Sequence, residues 1–450
     1  MGITFFIIYL MLIVVLSLVH GKKPITKEGF LVNNRCSSAS MVSSSIVASC
    51  VGASATIGVV GLAFKVGTPA FWWLGCGAIG LIILSLFVAK KVRSTNAYTL
   101  SQIIENLLGK KASYLASIII IIAWTAILAA QLTAAAMLIE ALTGLKQPFA
   151  LFIGSVLITL HTLAGGQESI IKLDRIQYLI ILIGLIVTLL WLVPSNPTAL
   201  NTIEFEFINE EFPFTRFLYF LLILGGSYIV CPMLYGRVLS AKDEKTAQYG
   251  VLKAAIAIAF ISMIIVCIGL FAKGLIAQDT PTDLVLTTII KNIFPSWFTG
   301  LIYIILLSAV ISSADSCLLT AGITLSQNIA QQHSVLFTRI SIIVLMLVAL
   351  LLTFTQKSIL GFLLMANDIY VCSIVTPLFI YLAFSKTKDD IHATFATSGM
   401  ILTGLLGLTA SISANYYFAY LGIGVSILFT LLSLLPKHIK FTTINAMEKK

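Results

Sequence analysis

Apolar residues recur along this chain in runs of about 20, the length that crosses a hydrocarbon core as an α-helix. The pattern predicts an all-α polytopic membrane protein with about thirteen transmembrane helices joined by short polar connections. The predicted spans cover residues 3–20, 41–64, 68–89, 113–143, 148–166, 169–194, 214–236, 250–277, 297–330, 336–356, 358–385, 391–411 and 414–435. Because the connections leave no room for a soluble catalytic domain, any function must be carried by the spans.

The placement of charge supports a membrane topology. The chain has 28 Lys and Arg against 18 Asp and Glu, and only 10% of its residues are charged. With thirteen spans and the N-terminus outside, most Lys and Arg fall on the cytoplasmic side, as the positive-inside rule expects. No basic residue precedes the first apolar run, while Lys22 and Lys23 follow it, so we expect a retained span rather than a cleaved signal peptide. The prediction is a multi-pass inner-membrane protein with a cytoplasmic C-terminus and no nucleic-acid partner.

Two spans contain residues that interrupt helices. The second span carries Gly52, Gly58 and Gly61, and the seventh carries Gly225-Gly226 and Pro232. Such residues at bilayer depth leave backbone groups for a ligand or water, although close helix packing is the alternative. Five spans separate the two, which therefore enter the membrane from opposite sides, as in transporters built from inverted repeats.

This spacing predicts a five-plus-five inverted-repeat core with additional spans at both ends. The predicted units are residues 1–40, an extra span and loop; 41–194, the first repeat; 195–213, an external loop; 214–385, the second repeat; and 386–450, two spans and a tail.

The ninth predicted span supplies oxygen-bearing side chains. Ser312 and Ser316 lie one helical turn apart with Asp315 beside them, and hydroxyl and carboxylate oxygens are the ligands that hard cations prefer. Serines that bond back to their own helix are the alternative. Acids inside a bilayer are costly and by default functional, which singles out Asp315, Asp368 and Asp174. The structural alternative is strongest for Asp174, which lies near a span end with Lys172 and Arg175 close by.

Four segments resemble the sodium/solute symporter family, which includes bacterial proline, pantothenate, sialic acid and galactose symporters. Residues 28–35 resemble its "D/E-F-x-x-x-G-R" segment, with Asn34 in place of glycine. Residues 165–177 are similar to "G-G-x-x-A-x-x-x-T-D-x-x-Q", residues 237–245 to "R-x-x-x-A-K-D-x-K", and residues 309–316 to "A-x-x-S-[ST]-x-x-S". The resemblance runs from about residue 28 to 435 and implies a leucine-transporter-type core.

The resemblance also implies a Na⁺ site, with sodium as the coupling ion. Its ligands would be the carbonyls of Ala48, Val51 and Ala309 and the hydroxyls of Ser312 and Ser313. Some family members hold a second Na⁺, which in this chain implicates Asp174, Ser312 and Ser316. Asp315 stands where those members tend to have serine, and could strengthen that cation site or turn it into a proton site.

Other departures concern the proline symporters and the substrate. Cys50 replaces an aspartate important for sodium in those proteins, Leu173 replaces a threonine, and Leu224 replaces a pocket tryptophan. Tyr228 and Pro232 match residues that line their pocket. Further candidate substrate contacts are buried polar residues, although a buried Gln or Asn often bonds a neighbouring helix instead: Gln131, Asn367, Asp368 and Tyr370.

The sequence therefore predicts a Na⁺-coupled symporter of a small polar organic solute, with an amino acid such as proline favoured. It predicts no organic cofactor and no enzymatic activity, and leaves the oligomeric state open. A proton-coupled symporter that uses Asp315 or Asp174 is the first alternative. A membrane sensor or membrane-embedded enzyme is the second, but no catalytic or nucleotide motif supports it.

Overall fold

The structure, a computed structural model, describes residues 4, 6, 7, 9, 11, 26–197, 205–354, 359–384 and 392–434. Within these residues every regular element is a helix. Nine of the described helices are long and apolar enough to cross a membrane, or ten if one sharply bent pair counts as a single span. The predicted all-α polytopic class is confirmed. The count of thirteen stays a prediction, and the first predicted span and the C-terminal tail lie largely outside the described residues.

The helices are numbered here in chain order. They are α1 Lys27–Val32, α2 Ala39–Cys50, α3 Ser54–Val66, α4 Thr68–Ser94, α5 Leu100–Leu108, α6 Lys110–Thr143, α7 Gln147–Ser195, α8 Phe214–Phe220 continued by Leu221–Gly225 and Gly226–Ile229, α9 Pro232–Ser240, α10 Glu244–Ala272, α11 Thr282–Ile293, α12 Ser296–Ile329, α13 Val335–Leu352, α14 Ile359–Phe384, α15 Ala393–Ser413 and α16 Tyr417–Ser433.

Both predicted interruptions are confirmed. The axes of α2 and α3 differ by 62° across the break that contains Gly52. A Cβ at Gly52 would lie 2.3 Å from Ser313 Oγ, so only glycine lets the break approach α12 this closely. Between α8 and α9 the backbone is extended at Val230 and Cys231. Pro232 then begins α9, where its missing N–H costs nothing.

Helix α7 changes direction at Gly166. Its 49 residues would span about 70 Å as one straight helix, roughly twice what a bilayer core requires. Gly166 has φ 56° and ψ −142°, a backbone conformation that side-chain-bearing residues rarely adopt. The change of direction falls where the sequence divides two predicted spans, at residues 166–169.

Two motif segments pack together at one end of the bundle. The backbone N–H of Ser37 donates to the Ser240 carbonyl over 2.9 Å, and that of Lys242 donates to the Ser37 carbonyl over 3.1 Å. Asn34 has φ 47°, in the left-handed region where asparagine is better tolerated than most residues, which explains how it replaces the family's glycine. Asp243 caps α10 by accepting from the Thr246 N–H at 2.7 Å, and this hydrogen bond lowers the pKa of Asp243.

Candidate functional site

A small cavity lies where the broken helices meet the middle of the bundle. Its volume is about 70 Å³, well below the roughly 300 Å³ at which pockets for organic ligands begin. The interior is therefore closed around the site in this conformation. Polar and aromatic residues make up much of its wall: Ser49, Ser54, Trp73, Trp124, Gln131, Ser227, Tyr228, Ser313 and Asn367.

Several sequence candidates meet at this cavity. Gln131 and Tyr228 line it, as do Leu224 and Cys50, two of the positions where the chain departs from its relatives. Gln131 Oε1 also accepts a 2.9 Å hydrogen bond from the backbone N–H of Ala53, in the break between α2 and α3. Gln131 thus satisfies a backbone group that the broken helix leaves without a helical partner. It serves the fold and borders the cavity at the same time.

The end of α2 meets α12 at the predicted sodium site. Ser313 Oγ donates to the carbonyl of Ser49 over 2.8 Å, and the hydroxyls of Ser49 and Ser316 lie 2.9 Å apart. The carbonyls of Ala48 and Val51 lie at this same helix end, where main-chain acceptors outnumber helical donors. Ser312 and Ser313 approach from α12, one turn after Ala309. The arrangement brings neutral oxygens from two helices together, which suits a monovalent hard cation.

Asp174 lies fully buried beside this site and is paired with an arginine. Its Oδ1 accepts from Ser312 Oγ at 2.6 Å, and its Oδ2 accepts from Ser45 Oγ and, at 3.5 Å, from Nη2 of Arg237. Lys172, its neighbour in sequence, instead bonds Glu168 at 2.7 Å. Asp174 is thus an interior charge and does not belong to the surface group of basic residues that flanks it in the sequence.

Arg237 brings its charge from α9 into the core and is only 1% exposed. Its Nε donates to Ser45 Oγ at 3.1 Å, Nη1 to the Met233 carbonyl at 3.2 Å, and Nη2 to the hydroxyls of Ser49, at 3.0 Å, and Ser316. A planar guanidinium has five N–H donors in fixed directions, so it can bond these four acceptors at once better than an ammonium can.

Asp315, also on α12, forms a separate pair. Its Oδ2 is hydrogen-bonded to Nδ1 of His161, and its Oδ1 accepts from Thr162 Oγ1 at 2.9 Å. His161 and Asp315 are both buried, and His161 Nε2 has no hydrogen-bond partner among the described residues. Asp174 and Asp315 therefore belong to different hydrogen-bonded groups.

Three predicted substrate contacts lie away from the central cavity. Pro232 begins α9 and is buried behind it. Tyr370 donates to the Val230 carbonyl at 2.9 Å and packs its ring against Trp124, so it supports the second break. Asp368 lines a different cavity, whereas its neighbour Asn367 faces the central one.

Sequence reasoning did not identify Arg237 or His161 as site residues. Arg237 follows the predicted span 214–236 and so falls in a predicted cytoplasmic connection, although it belongs to one of the four motif segments. That membership was the available signal. His161 carried none, because a single histidine in an apolar run gives no indication of its partner across 154 residues.

Relatives of known function are transporters. The chain is 25% identical over 440 residues to the sodium/pantothenate symporter of Escherichia coli, covering 90% of this chain and 89% of that protein. It is 24% identical to the Haemophilus influenzae sodium/pantothenate symporter, a match that covers 66% of each chain, just under two thirds. It is also 24% identical to the human high affinity choline transporter 1, covering 72% of this chain and 61% of that one.

Solved structures show the same fold at low identity. A Na⁺-coupled sialic acid symporter in a substrate-bound, outward-open state superposes with a TM-score of 0.80 at 15% identity, covering 96% of this chain and 97% of that one. A nucleobase-cation-symport-1 family transporter superposes with a TM-score of 0.63 at 13% identity, covering 89% and 92%. The sodium:solute symporter family matches residues 30–404, which is most of the chain. This protein, an integral multi-pass membrane protein, belongs to the sodium:solute symporter family.

Proposed function

We propose that this protein is a secondary transporter of the plasma (inner) membrane that uses a Na⁺ gradient to carry a small polar organic solute inward. The ion would be held by the carbonyls of Ala48, Val51 and Ala309 and the hydroxyls of Ser312 and Ser313. The observation that carries the proposal is the 2.8 Å contact from Ser313 Oγ to the Ser49 carbonyl, which joins the end of α2 to α12. The proposal includes an external N-terminus, a cytoplasmic C-terminus and no organic cofactor.

Coupling follows from where this site lies. A cation between α2 and α12 stabilises conformations in which those two helices stay together, and it is released when they separate. The central cavity borders the same break through Ser49, Cys50 and Ser313, so solute and ion would act on one element. Alternating access in inverted-repeat transporters moves such an element relative to the rest of the bundle.

The proposal assigns the coupling ion to the first site because both carboxylates of the second set already face a basic side chain. Asp174 and Ser316 contact Arg237, and Asp315 contacts His161 and Thr162. Asp174, Asp315 and Ser316 remain the candidates if a second cation binds.

For the solute, Tyr228 and Gln131 are the proposed contacts, together with Asn367 across the cavity. Pantothenate, choline and sialic acid in the names of the relatives are chemically diverse, so these names support a polar organic solute and no single compound. An amino acid such as proline is the first class to test, since Tyr228 matches the pocket residue of the proline symporters.

The first test measures Na⁺ binding and does not require the solute to be known. Thermal unfolding of the purified protein is followed while Na⁺ replaces K⁺ at constant ionic strength, since a ligand that binds the folded state raises its unfolding temperature. We expect Na⁺ to stabilise the wild type, and Ser312→Ala or Ser313→Ala to weaken the apparent Na⁺ affinity by roughly tenfold or more. Ser308→Ala, on the same helix but outside the ligand set, is the matched control.

Wild-type sodium responses in both serine variants would refute the assignment of the site. If Na⁺ has no effect on the unfolding temperature and a pH gradient alone drives uptake, the coupling ion is a proton and not sodium. Once Na⁺ binding is established, the same assay with amino acids, sugars, vitamins and small carboxylates identifies the solute class, which should stabilise the protein more in Na⁺ than in K⁺.

A further inference from the structure

A second cavity opens at the end of the bundle that the predicted topology places outside. Its volume is about 620 Å³, within the usual range for sites that bind small organic molecules. It lies between the first turns of α8, the first half of α14 and the connection from α15 to α16. Helix α14 separates it from the central cavity, since Asn367 faces one and Asp368 the other.

Asp368 brings a buried carboxylate to this cavity. The residue is 4% exposed, and its Oδ1 accepts a 2.7 Å hydrogen bond from the Tyr219 hydroxyl. None of the ion pairs among the described residues includes it. A buried carboxylate without a cation is costly, and one hydroxyl does not replace a counter-charge. Among the described residues the Asp368 carboxyl group thus has no counter-charge, and the ammonium group of a ligand would supply one.

Aromatic rings surround the same region. Tyr219 lies 5.6 Å from Tyr416 and 6.0 Å from Phe220, measured between ring centroids, and all three residues line the cavity. The faces of aromatic rings attract organic cations, and a carboxylate among such rings adds a directed charge. This combination favours an ammonium group over a bare metal ion, which would require more oxygen ligands.

Arg216 supplies the opposite charge on the same wall. Its guanidinium carbon lies 5.2 Å from the ring centre of Phe212 and 5.9 Å from that of Phe220, and Nη1 donates to the Glu211 carbonyl at 3.1 Å. Glu211 also lines the cavity, but Arg216 forms no ion pair with it, with Asp368 or with any other described acid. One cavity therefore presents a separated negative and positive charge.

We propose that this cavity binds a small zwitterion, with its ammonium group at Asp368 and the aromatic rings and its anionic group toward Arg216. The ligand chemistry has two sources, a free zwitterionic solute or the headgroup of a phosphatidylethanolamine lipid. Ile412 lines the cavity with an exposed apolar side chain, which gives a lipid access from the side of the bundle. The site is separate from the solute and sodium sites and does not depend on them.

The experiment uses the full-length protein in detergent with K⁺ as the only alkali cation. The probe is glycine betaine, and its controls are 3,3-dimethylbutanoate, which has the same shape without the positive charge, and tetramethylammonium, which lacks the anionic group. We expect betaine to raise the unfolding temperature and dimethylbutanoate to have no effect. Asp368→Asn should lower the apparent affinity for betaine at least tenfold. Arg216→Gln should weaken the binding of betaine and leave the binding of tetramethylammonium unchanged or tighter.

Two further variants keep the result interpretable. Gln131→Ala alters the central cavity and should leave the betaine response intact. Tyr416→Leu keeps the bulk of the wall but removes the ring, and it should weaken betaine binding. This variant provides the test if Asp368→Asn fails to fold.

A lipid arm distinguishes the two sources. The protein is placed in nanodiscs of phosphatidylethanolamine or of phosphatidylglycerol. If a headgroup is the ligand, phosphatidylethanolamine should raise the unfolding temperature relative to phosphatidylglycerol, and this rise should be larger in the wild type than in Asp368→Asn. Free betaine should then have little effect. The proposal is overturned if neither betaine nor phosphatidylethanolamine stabilises the protein, or if either does so equally in Asp368→Asn. A betaine response lost in Gln131→Ala but kept in Asp368→Asn would also overturn it and would assign betaine to the central cavity.

Discussion

Two buried carboxylates lie beside or on α12, and the basic side chains that they face differ in kind. Asp174 on α7 faces Arg237, whose guanidinium is charged at any accessible pH, and it also accepts from Ser45 and Ser312. Asp315 on α12 faces His161, whose imidazole carries a charge only when it holds a second proton. One acid therefore has a permanent counter-charge, while the other has a partner that can become neutral.

This difference separates two ways of keeping an acid inside a membrane. Around Asp174 the charges are fixed, so the hydrogen bonds that join α2, α7, α9 and α12 persist as long as these helices stay together. Around Asp315 the pair can be ionic or neutral without losing its hydrogen bond, so its contribution to the fold rests less on charge. The predictions below test this contrast in a single assay, thermal unfolding of the purified protein, in order of decreasing effect.

Asp174→Asn should be the most damaging of the three substitutions. It keeps the shape of the side chain but leaves the Arg237 guanidinium buried without its carboxylate, a change that typically costs about 3–5 kcal/mol. The unfolding temperature should fall sharply, and adding Arg237→Met to the same chain should recover part of the loss because the buried charge is then gone.

Glu168→Gln is the matched control for that experiment. Glu168 pairs with Lys172 one turn away at the protein surface, where ion pairs contribute little. An Asp174→Asn protein as stable as the Glu168→Gln protein would show that the Arg237 charge is compensated elsewhere.

Arg237→Lys should have an intermediate effect. Lysine keeps the positive charge near Asp174, but a single ammonium cannot reach Ser45, Ser49, Ser316 and the Met233 carbonyl from one position. Losing one of these charge-assisted hydrogen bonds without a replacement predicts a loss of about 2 kcal/mol. A loss as large as that of Asp174→Asn would mean that the geometry of the guanidinium, and not its charge, maintains this group.

The contrast also shows which features of the molecule the sequence could predict. The broken helices were predictable because glycine and proline act on their own backbone, as at Gly52 and Pro232, whatever surrounds them. The position of Ser316 one turn after Ser312 followed from helical spacing within one span. These are local properties, and the structure reproduces each of them.

Partners from distant segments could not be predicted in the same way. Asp174 and Arg237 are 63 positions apart, and although both lie in motif segments, neither segment indicates that the two side chains pair. The same holds for Asp368, whose depth was evident from its span but whose side of α14 was not. A change of one position along a helix rotates a side chain by about 100°, enough to exchange the central cavity for the second one.

Asp315→Asn should have the smallest effect, and it tests the comparison most directly. The asparagine carbonyl can still accept from Thr162 Oγ1, and His161 can remain beside it as a neutral imidazole, so no buried charge is left uncompensated. The hydrogen bond between position 315 and His161 becomes weaker, because asparagine has no carboxylate charge. This predicts a loss of about 1 kcal/mol and an unfolding temperature well above that of Asp174→Asn. If the two asparagine variants unfold at the same temperature, His161 must carry a charge as permanent as that of Arg237, and the distinction between the two acids fails. If Asp315→Asn is the milder variant by the expected margin, the fixed ionic group of the core is the one around Asp174, and helix α12 carries a second acid whose charge the fold does not require.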